Sequence, residues 1–309
     1  MAPPSLRESA ETHMRPHRKT ISTPVAIEGI GLHSGIYTKV ELHPAEAGAG
    51  LGFVRTDLRN LRIPALQAST TALDYAPTVG KDDVAIGTVE HLLSAIHAAG
   101  VTDLEIRIDG PEVPIIDGSA LPFVHLIEAA GMRSHEERMG VLRMVRPIEL
   151  NEGSKWIRIE PADRLSVDYQ IDFNHPVIGH QSVAFDLDYE RFVSEIAPAR
   201  TYGFIRDVEQ LRAAGLARGG SVENCIVLDD KGVMNGPIRF DDEFVRHKVL
   251  DLVGDLALLG YPIVGAISAV RAGHALHSKL VAEILRSPDS WEIDGPIAEP
   301  VHENALAWA

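Results

Sequence analysis

Two residues able to bind a metal ion, His247 and Asp251, lie four positions apart in a segment with regularly spaced apolar residues. Each residue of an α-helix advances by about 100°, so side chains four apart project side by side and can reach one ion. Asp255 lies one turn further along the same face. Taken alone, such a pair is more often a solvated polar stripe on an amphipathic helix, so further ligands are needed.

Two other pairs of residues could complete a metal site. Glu90 and His91 begin a second helical segment, and neighbouring helical residues point about 100° apart. They therefore fit one metal ligand and one group directed at a bound water. Gly273-His274 precedes a third segment, where the glycine lets a backbone or a substrate come close. Three ligands with an open position are typical of catalytic zinc, although two histidines and a carboxylate also bind iron in oxygenases.

The composition of the chain restricts its partners. With 29 basic and 44 acidic residues the formal net charge is −15, so we expect neither a nucleic acid nor an anionic membrane surface as partner. The longest uncharged run, residues 256–270, is too short and too interrupted to span a membrane. Motifs of zincin peptidases and of serine hydrolases with a nucleophile elbow are missing from the sequence. We expect a cytoplasmic monomer that binds a small molecule.

The order of the predicted elements indicates an α+β protein with two similar halves. Strands followed by two helices occur twice, with helices predicted at residues 88–99, 119–130 and 241–259 and a last helix ending near Arg286. Thr88 is expected to cap the first helix, and the glycine-rich residues 45–52 to form a hairpin loop. The predicted parts are a disordered tail (1–18), a first domain (19–135), a second domain (136–290) with an insertion near 187–228, and a C-terminal tail (291–309).

Seven longer motifs, taken in order, resemble one enzyme family. They are GIGLHSG (29–35), GTVEHLLSA (87–95), PEVPIIDGSALPFV (111–124), IDFNHP (171–176), ARTYGFIRD (199–207), EFVRHKVLDLVGDL (243–256) and GHALHSKL (273–280). The resemblance runs from about Lys19 to about Arg286. The chain is similar to the UDP-3-O-acyl-N-acetylglucosamine deacetylases, the zinc enzymes of the lipid A pathway in Gram-negative bacteria.

This resemblance implies a fold, a reaction and roles for the motif residues. The fold would be two domains, each a β-sheet with a helix pair, packed helix to helix as a β-α-α-β sandwich. The reaction would be hydrolysis of the N-acetyl group of UDP-3-O-[(3R)-3-hydroxyacyl]-N-acetylglucosamine with one Zn²⁺ per chain. The matching residues are the zinc ligands His91, His247 and Asp251, the general base Glu90, the protonated His274 with its orienting Asp255, the oxyanion-binding Thr201, the substrate-facing Lys248, and an apolar acyl passage formed by Phe204, Val208, Ala217, Ser221 and Val227.

Small departures and three alternatives stay open at this point. Tyr202 stands where the family commonly has Phe, and position 217 varies, which concerns the fit of the acyl chain. The first alternative is a zinc amidohydrolase acting on another N-acyl sugar. The activity of such an enzyme would not change when the long acyl chain is removed. The second is a sugar-nucleotide binding protein without catalysis, although such a protein has no need of a base beside a metal. The third is a non-haem iron enzyme, which metal analysis would separate.

Overall fold

The computed structural model of this chain describes residues 16–72 and 76–296. The remainder of both predicted tails, residues 1–15 and 297–309, lies outside the described residues. The longer α-helices of the described residues are α1 (Glu90–Ala98), α2 (Leu121–Ala130), α3 (Ile205–Ala213), α4 (Glu243–Leu256) and α5 (His274–Arg286). The strands of the described residues are β1 (His17–Ile21), β2 (Val25–Ile30), β3 (Tyr37–Pro44), β4 (Leu51–Arg55), β5 (Leu61–Pro64), β6 (Thr70–Ala72), β7 (Thr78–Lys81), β8 (Val84–Ile86), β9 (Leu104–Ile108), β10 (Met132–Arg138), β11 (Val141–Met144), β12 (Ile148–Glu152), β13 (Lys155–Glu160), β14 (Leu165–Asp172), β15 (His180–Asp186), β16 (Tyr202–Phe204), β17 (Ile226–Leu228), β18 (Ile263–Val270) and β19 (Trp291–Asp294).

The two large sheets have the same strand order. In the first half the order is β2-β3-β9-β4-β5, where β9 pairs antiparallel with β3 and parallel with β4. In the second half β18 takes the place of β9, pairing antiparallel with β13 and parallel with β14, and β12 and β15 form the outer strands. The second sheet is extended by β11 and β19, which join at the beginning of β18. The halves are therefore two copies of one topology.

The helices occupy equivalent places in the two halves. α1 precedes and α2 follows the central strand β9, just as α4 precedes and α5 follows β18. α2 packs on β2, α4 packs on β14 and β15, and α5 packs on β12 and β13, while α1 packs against α4. Strand β18 alternates fully buried and partly exposed residues, as a strand covered by helices on one face should. The predicted α+β class with two similar halves joined helix to helix is confirmed.

The contact between α1 and α4 depends on a glycine. A Cβ atom placed on Gly254 would lie 2.2 Å from the carbonyl oxygen of Glu90, at the start of α1. A side chain at this position would therefore push the two helices apart. Because α1 and α4 carry the residues predicted to bind metal, Gly254 sets how closely those residues can approach one another.

Several local predictions were wrong. Thr88 does not cap α1, because its φ is +56° and its hydroxyl donates to Glu112 Oε1, 2.7 Å away. Residues 45–52 do not form a hairpin, since β3 and β4 are separated in the sheet by β9. Strand β10, which pairs with β1, spans the limit between the two predicted domains, and the predicted C-terminal segment begins with strand β19. Helices α1, α2 and α4 each begin two residues later than predicted.

Among the described residues, the helices are too short or too polar for any of them to traverse a lipid bilayer.

Candidate active site

The candidate metal ligands come from helices of different halves. His91 lies in the first turn of α1, whereas His247 and Asp251 lie four residues apart on α4, and all three side chains are buried. One ligand atom from each residue lies within 4.8 Å of the other two. The rings of His91 and His247 are nearly perpendicular, with centroids 5.1 Å apart. The folded chain thus brings together the three side chains that the sequence suggested as ligands.

Hydrogen bonding determines which ring nitrogen of His247 is available. Its Nδ1 donates to the carbonyl oxygen of Ala199, 3.0 Å away, so Nε2 keeps a lone pair in the neutral ring. Burial lowers the pKa of His247, and it lowers the pKa of His91 to about 3, so both rings are neutral near pH 7. Nε2 of His247 lies 3.3 Å from Oδ1 of Asp251. Two lone pairs facing each other at this distance repel unless a cation lies between them.

The donor atoms of this group fit a zinc ion. Asp251 Oδ1 and His91 Nδ1 are buried, and neither has a hydrogen-bond partner among residues 16–72 and 76–296. Buried polar atoms rarely lack a partner in a folded protein, so this arrangement fits a cation bound between the two atoms. Imidazole and carboxylate are the ligands of many catalytic zinc sites, in which the protein supplies three of them.

Lys248 holds the second oxygen of the Asp251 carboxylate. Its Nζ donates to Asp251 Oδ2 at 2.7 Å and lies 5.6 Å from the centroid of the Tyr202 ring. Burial raises the pKa of Asp251, but His247 and Lys248 outweigh burial and hold that pKa well below its usual range. Asp251 is therefore an anion at every pH at which the protein is expected to work. Lys248 lines the same cavity, so its ammonium group can also meet a ligand there.

Glu90 precedes His91 at the start of α1. Glu90, Asp251 and His274 each offer an atom within 4.8 Å of the other two, and Glu90 Oε2 is buried without a hydrogen-bond partner in the described part of the chain. Burial raises the pKa of Glu90 to about 8, against the lowering effect of His274. A divalent cation nearby would lower this pKa, because it stabilises the carboxylate. The group can then accept a proton near neutral pH, as a general base must.

His274, the first residue of α5, faces Glu90 across the site. Its Nδ1 donates to Asp255 Oδ2 at 2.9 Å, and its Nε2 lies 3.6 Å from Asp251 Oδ2. Burial lowers the pKa of His274, but the charges of Asp255 and Asp251 outweigh burial and raise it to about 9. The ring is therefore a cation near pH 7. Since 11% of its side chain is exposed, it can meet a ligand in the cavity.

Thr201 reaches the site from the loop that precedes β16. Its backbone N–H donates to the carbonyl oxygen of Gly118 at 2.7 Å, and its own carbonyl oxygen accepts from the N–H of Ile226 at 2.8 Å. Gly118 has a φ of +86°, and a Cβ atom there would lie 2.3 Å from the carbonyl oxygen of Asn224. This glycine lets a loop of the first half approach the Thr201 segment of the second half.

A cavity of about 490 Å³ opens over these side chains. All the residues that the family resemblance assigned to metal, base, acid, oxyanion and substrate line it, except the buried Asp255. The five residues assigned to the acyl passage are also in its wall: Phe204, Val208, Ala217, Ser221 and Val227. The cavity thus combines a polar end with an apolar extension, a form suited to a ligand with a polar head and an acyl chain.

Four contributors to the site escaped sequence reasoning. Ala199 acts through its backbone carbonyl oxygen, which no side-chain pattern can reveal. Glu112 binds Thr88 and so holds the chain where it enters α1. His277 bonds to Asp255, and its spacing of three residues from His274 on one helix could have indicated this. Tyr169, which bonds to His277, lies in an ordinary alternating strand that carries no functional signal.

Comparisons with known proteins identify one enzyme family. A family model described as LpxC, UDP-3-O-acyl N-acetylglycosamine deacetylase, matches residues 18–286. A relative from Myxococcus xanthus (strain DK1622), named UDP-3-O-acyl-N-acetylglucosamine deacetylase, is 46% identical over 287 residues, which cover 91% of each chain. Relatives with the same name from Syntrophotalea carbinolica and Leptospira biflexa are 44% and 46% identical, covering 90% and 87% of this chain and 90% of their own length. Because the family model and the relatives cover most of its length, the chain belongs to the LpxC family of UDP-3-O-acyl N-acetylglycosamine deacetylases.

Proposed function

We propose that this chain hydrolyses the N-acetyl group of a UDP-3-O-acyl-N-acetylglucosamine, releasing acetate and the free amine, as an early step of lipid A synthesis. The names of its relatives supply the substrate. The observation that carries the proposal is the convergence of a base, a cationic imidazole and three candidate metal ligands at the polar end of one cavity. A protein that only bound the sugar nucleotide would have no use for this combination.

The proposed metal is zinc, held by His91, His247 and Asp251, and zinc dependence is a property of the family. When bound, zinc supplies a Lewis acid that makes water nucleophilic near neutral pH. The role of the protein is to hold the two imidazoles neutral and the carboxylate anionic. The hydrogen bonds from His247 to Ala199 and from Lys248 to Asp251 support these states.

The remaining residues move protons and orient the substrate. Glu90 takes a proton from the attacking water as the new C–O bond forms at the acetyl carbonyl carbon. The developing oxyanion is stabilised by the hydroxyl of Thr201, which lines the same wall of the cavity. His274 then gives its Nε2 proton to the sugar nitrogen as the C–N bond breaks. Its Nδ1 stays bonded to Asp255, which keeps Nε2 directed into the site.

The substrate proposal can be tested with two sugars and one metal analysis. Purified protein is assayed for acetate release from the acylated UDP-sugar and from the same sugar without its acyl chain. We expect a much lower kcat/KM for the second sugar, because the apolar wall then has nothing to bind. Comparable rates would instead favour an amidohydrolase for another N-acyl sugar. Iron in place of zinc, at one ion per chain, would favour the oxygenase alternative, and an absence of acetate release with zinc bound would favour a binding protein.

The domain limits, location and assembly state are also proposals. We propose domains at residues 19–135 and 136–290, with the acyl-passage insertion near 187–228, because each half contains one sheet and one helix pair. We further propose that the chain works as a cytoplasmic monomer. Sedimentation at micromolar concentration and fractionation of cells would test these last two points.

A further inference from the structure

Behind the site lies a chain of two buried hydrogen bonds that the proposed reaction does not use directly. Tyr169 on β14 is 2.8 Å from Nε2 of His277 on α5. Nδ1 of His277 is 2.8 Å from Oδ2 of Asp255 on α4, and the same oxygen accepts the bond from His274. Tyr169 and His277 are fully buried, and neither lines the cavity. They therefore cannot touch the substrate.

The direction of each hydrogen bond in this chain follows from the groups themselves. An ionised carboxylate can only accept, so Nδ1 of His277 must carry a proton. Burial lowers the pKa of His277, so its ring is neutral and Nε2 keeps a lone pair. Burial also raises the pKa of Tyr169 well above its usual value, so its hydroxyl is protonated and donates to Nε2. The order of donation is Tyr169 to His277 to Asp255.

The carboxylate of Asp255 has little else to hold it. Its Oδ1 is buried and has no hydrogen-bond partner among the described residues. His274 and His277 are three residues apart on α5 and therefore lie side by side. Both imidazoles donate to the same oxygen, Oδ2 of Asp255. Without His277, the bond to His274 would be the one hydrogen bond left on the Asp255 carboxylate within the described part of the chain, and the two side chains could turn together.

We propose that Tyr169 and His277 are positioning residues, which fix the Asp255 carboxylate so that His274 presents Nε2 to the leaving nitrogen. The inference rests on the proposed deacetylase function and adds two residues to it. Outer groups that orient metal ligands typically change activity by about 10- to 100-fold when removed, and we expect a loss of the same order for groups that orient His274. The loss should fall on kcat, because the buried pair makes no contact with the substrate.

The test compares His277→Leu, His277→Asn and Tyr169→Phe with the parent enzyme. We expect kcat to fall by about 10- to 100-fold in His277→Leu, with KM nearly unchanged. His277→Asn should recover most of kcat, since its side-chain amide can donate from nearly the same place as Nδ1. Tyr169→Phe should lower kcat less than His277→Leu. As a matched control, Tyr189→Phe removes a hydroxyl that bonds to Glu128, and it should leave kcat unchanged because neither residue lines the cavity.

A double-mutant cycle separates positioning from a structural role. In a His274→Ala background, His277→Leu and Tyr169→Phe should cause no further loss of kcat, because the group they orient is gone. An equal loss in both backgrounds, a change in KM alone, or a loss of bound zinc would overturn the proposal. If His277→Leu does not fold, Tyr169→Phe carries the same cycle, since it removes only one oxygen atom.

A measurement without turnover keeps this proposal distinct from the function. Nitrogen-15 NMR of the labelled parent protein should show His277 protonated at Nδ1 and not at Nε2, and Tyr169→Phe should shift its Nε2 resonance. A proton on Nε2 of His277 instead of Nδ1 would refute the proposed hydrogen-bonded chain, even if the enzyme is active. A parent protein that releases no acetate, yet shows the expected tautomer, would refute the proposed function and leave the hydrogen-bonded chain intact.

Discussion

Helices α1 and α4 occupy the same place in the two halves, each just before the central strand of its sheet, but they contribute different chemistry. α1 supplies Glu90 and His91 from its first turn. By contrast, α4 supplies four groups along its length: His247, Lys248, Asp251 and Asp255. The contrast between α2 and α5 is greater still. α5 begins with His274 in the site, whereas the buried face of α2 consists of apolar side chains such as Phe123 and Ile127.

This comparison shows that the site uses the two copies of one topology unequally. Neither half holds a complete set: the first lacks two of the three candidate ligands, and the second lacks the base. The site therefore exists only where α1 meets α4. Variants of the residues that each half contributes can test this unequal use of the two halves.

Removing the Asp251 carboxylate should have the largest effect. We expect Asp251→Ala to lose bound zinc and all measurable acetate release, because the buried imidazoles alone offer two ligands and no charge. Zinc per chain, measured after gel filtration, tests this directly. Asp241→Ala, at an exposed position just before α4, is the matched control and should keep zinc. Full zinc affinity in Asp251→Ala would show that α4 does not provide the metal site.

Glu90→Gln should separate the contribution of α1 from that of α4. The amide keeps the shape of the side chain but cannot take a proton, so we expect kcat to fall by about 10²- to 10⁴-fold with zinc content unchanged. Steady-state kinetics and metal analysis on one preparation give both values. Nearly normal turnover would mean that the first half provides a ligand but no base.

The pH dependence should reveal the α5 contribution. His274 must be protonated to act as an acid, and its pKa is raised to about 9, so activity should be present below that pH and fall as pH rises through it. A zinc ion nearby would disfavour the protonated ring and so lower the pKa of His274. The alkaline limb of the activity profile is therefore expected at or below about pH 9. Asp255→Asn removes the main charge that raises this pKa, and burial then dominates. The alkaline limb of kcat/KM should move lower by roughly one to three pH units. If the alkaline limb stays at the same pH in Asp255→Asn, the titration of a group other than His274 causes it.

Gly254→Ala tests the joint between the halves and should have the smallest effect on chemistry. Its Cβ would lie 2.2 Å from the Glu90 carbonyl oxygen, so α1 and α4 must separate slightly. We expect a loss of about 1–3 kcal/mol in the free energy of unfolding, as for an overpacked core, with weaker zinc binding. Gly232→Ala, where the nearest neighbour of the added Cβ is 3.8 Å away, is the control for thermal or denaturant unfolding. Unchanged stability would show that the helices can adjust freely.

The sequence predicted the elements well where the pattern is local, and poorly where a segment depends on distant strands. The periodicity of α4 placed the helix within three residues of its observed limits. By contrast, β10 and β19 contain mostly polar or partly exposed residues and become strands only because β1 and β11 offer them free edges. Threonine is a common residue at the start of a helix, but the hydroxyl of Thr88 donates to the carboxylate of Glu112 and does not cap α1.

What the sequence determined by itself is the set of chemical groups and their spacing along each helix. The positions of His247, Asp251 and Asp255 on one face follow from helix geometry, which needs no other part of the chain. Only the tertiary structure decided that His91 and His274 reach that face, that Ala199 directs the lone pair of His247, and that Tyr169 stands behind His277. These relations join residues far apart in the chain, and they arise from the packing of two sheets and four helices, which no local pattern encodes.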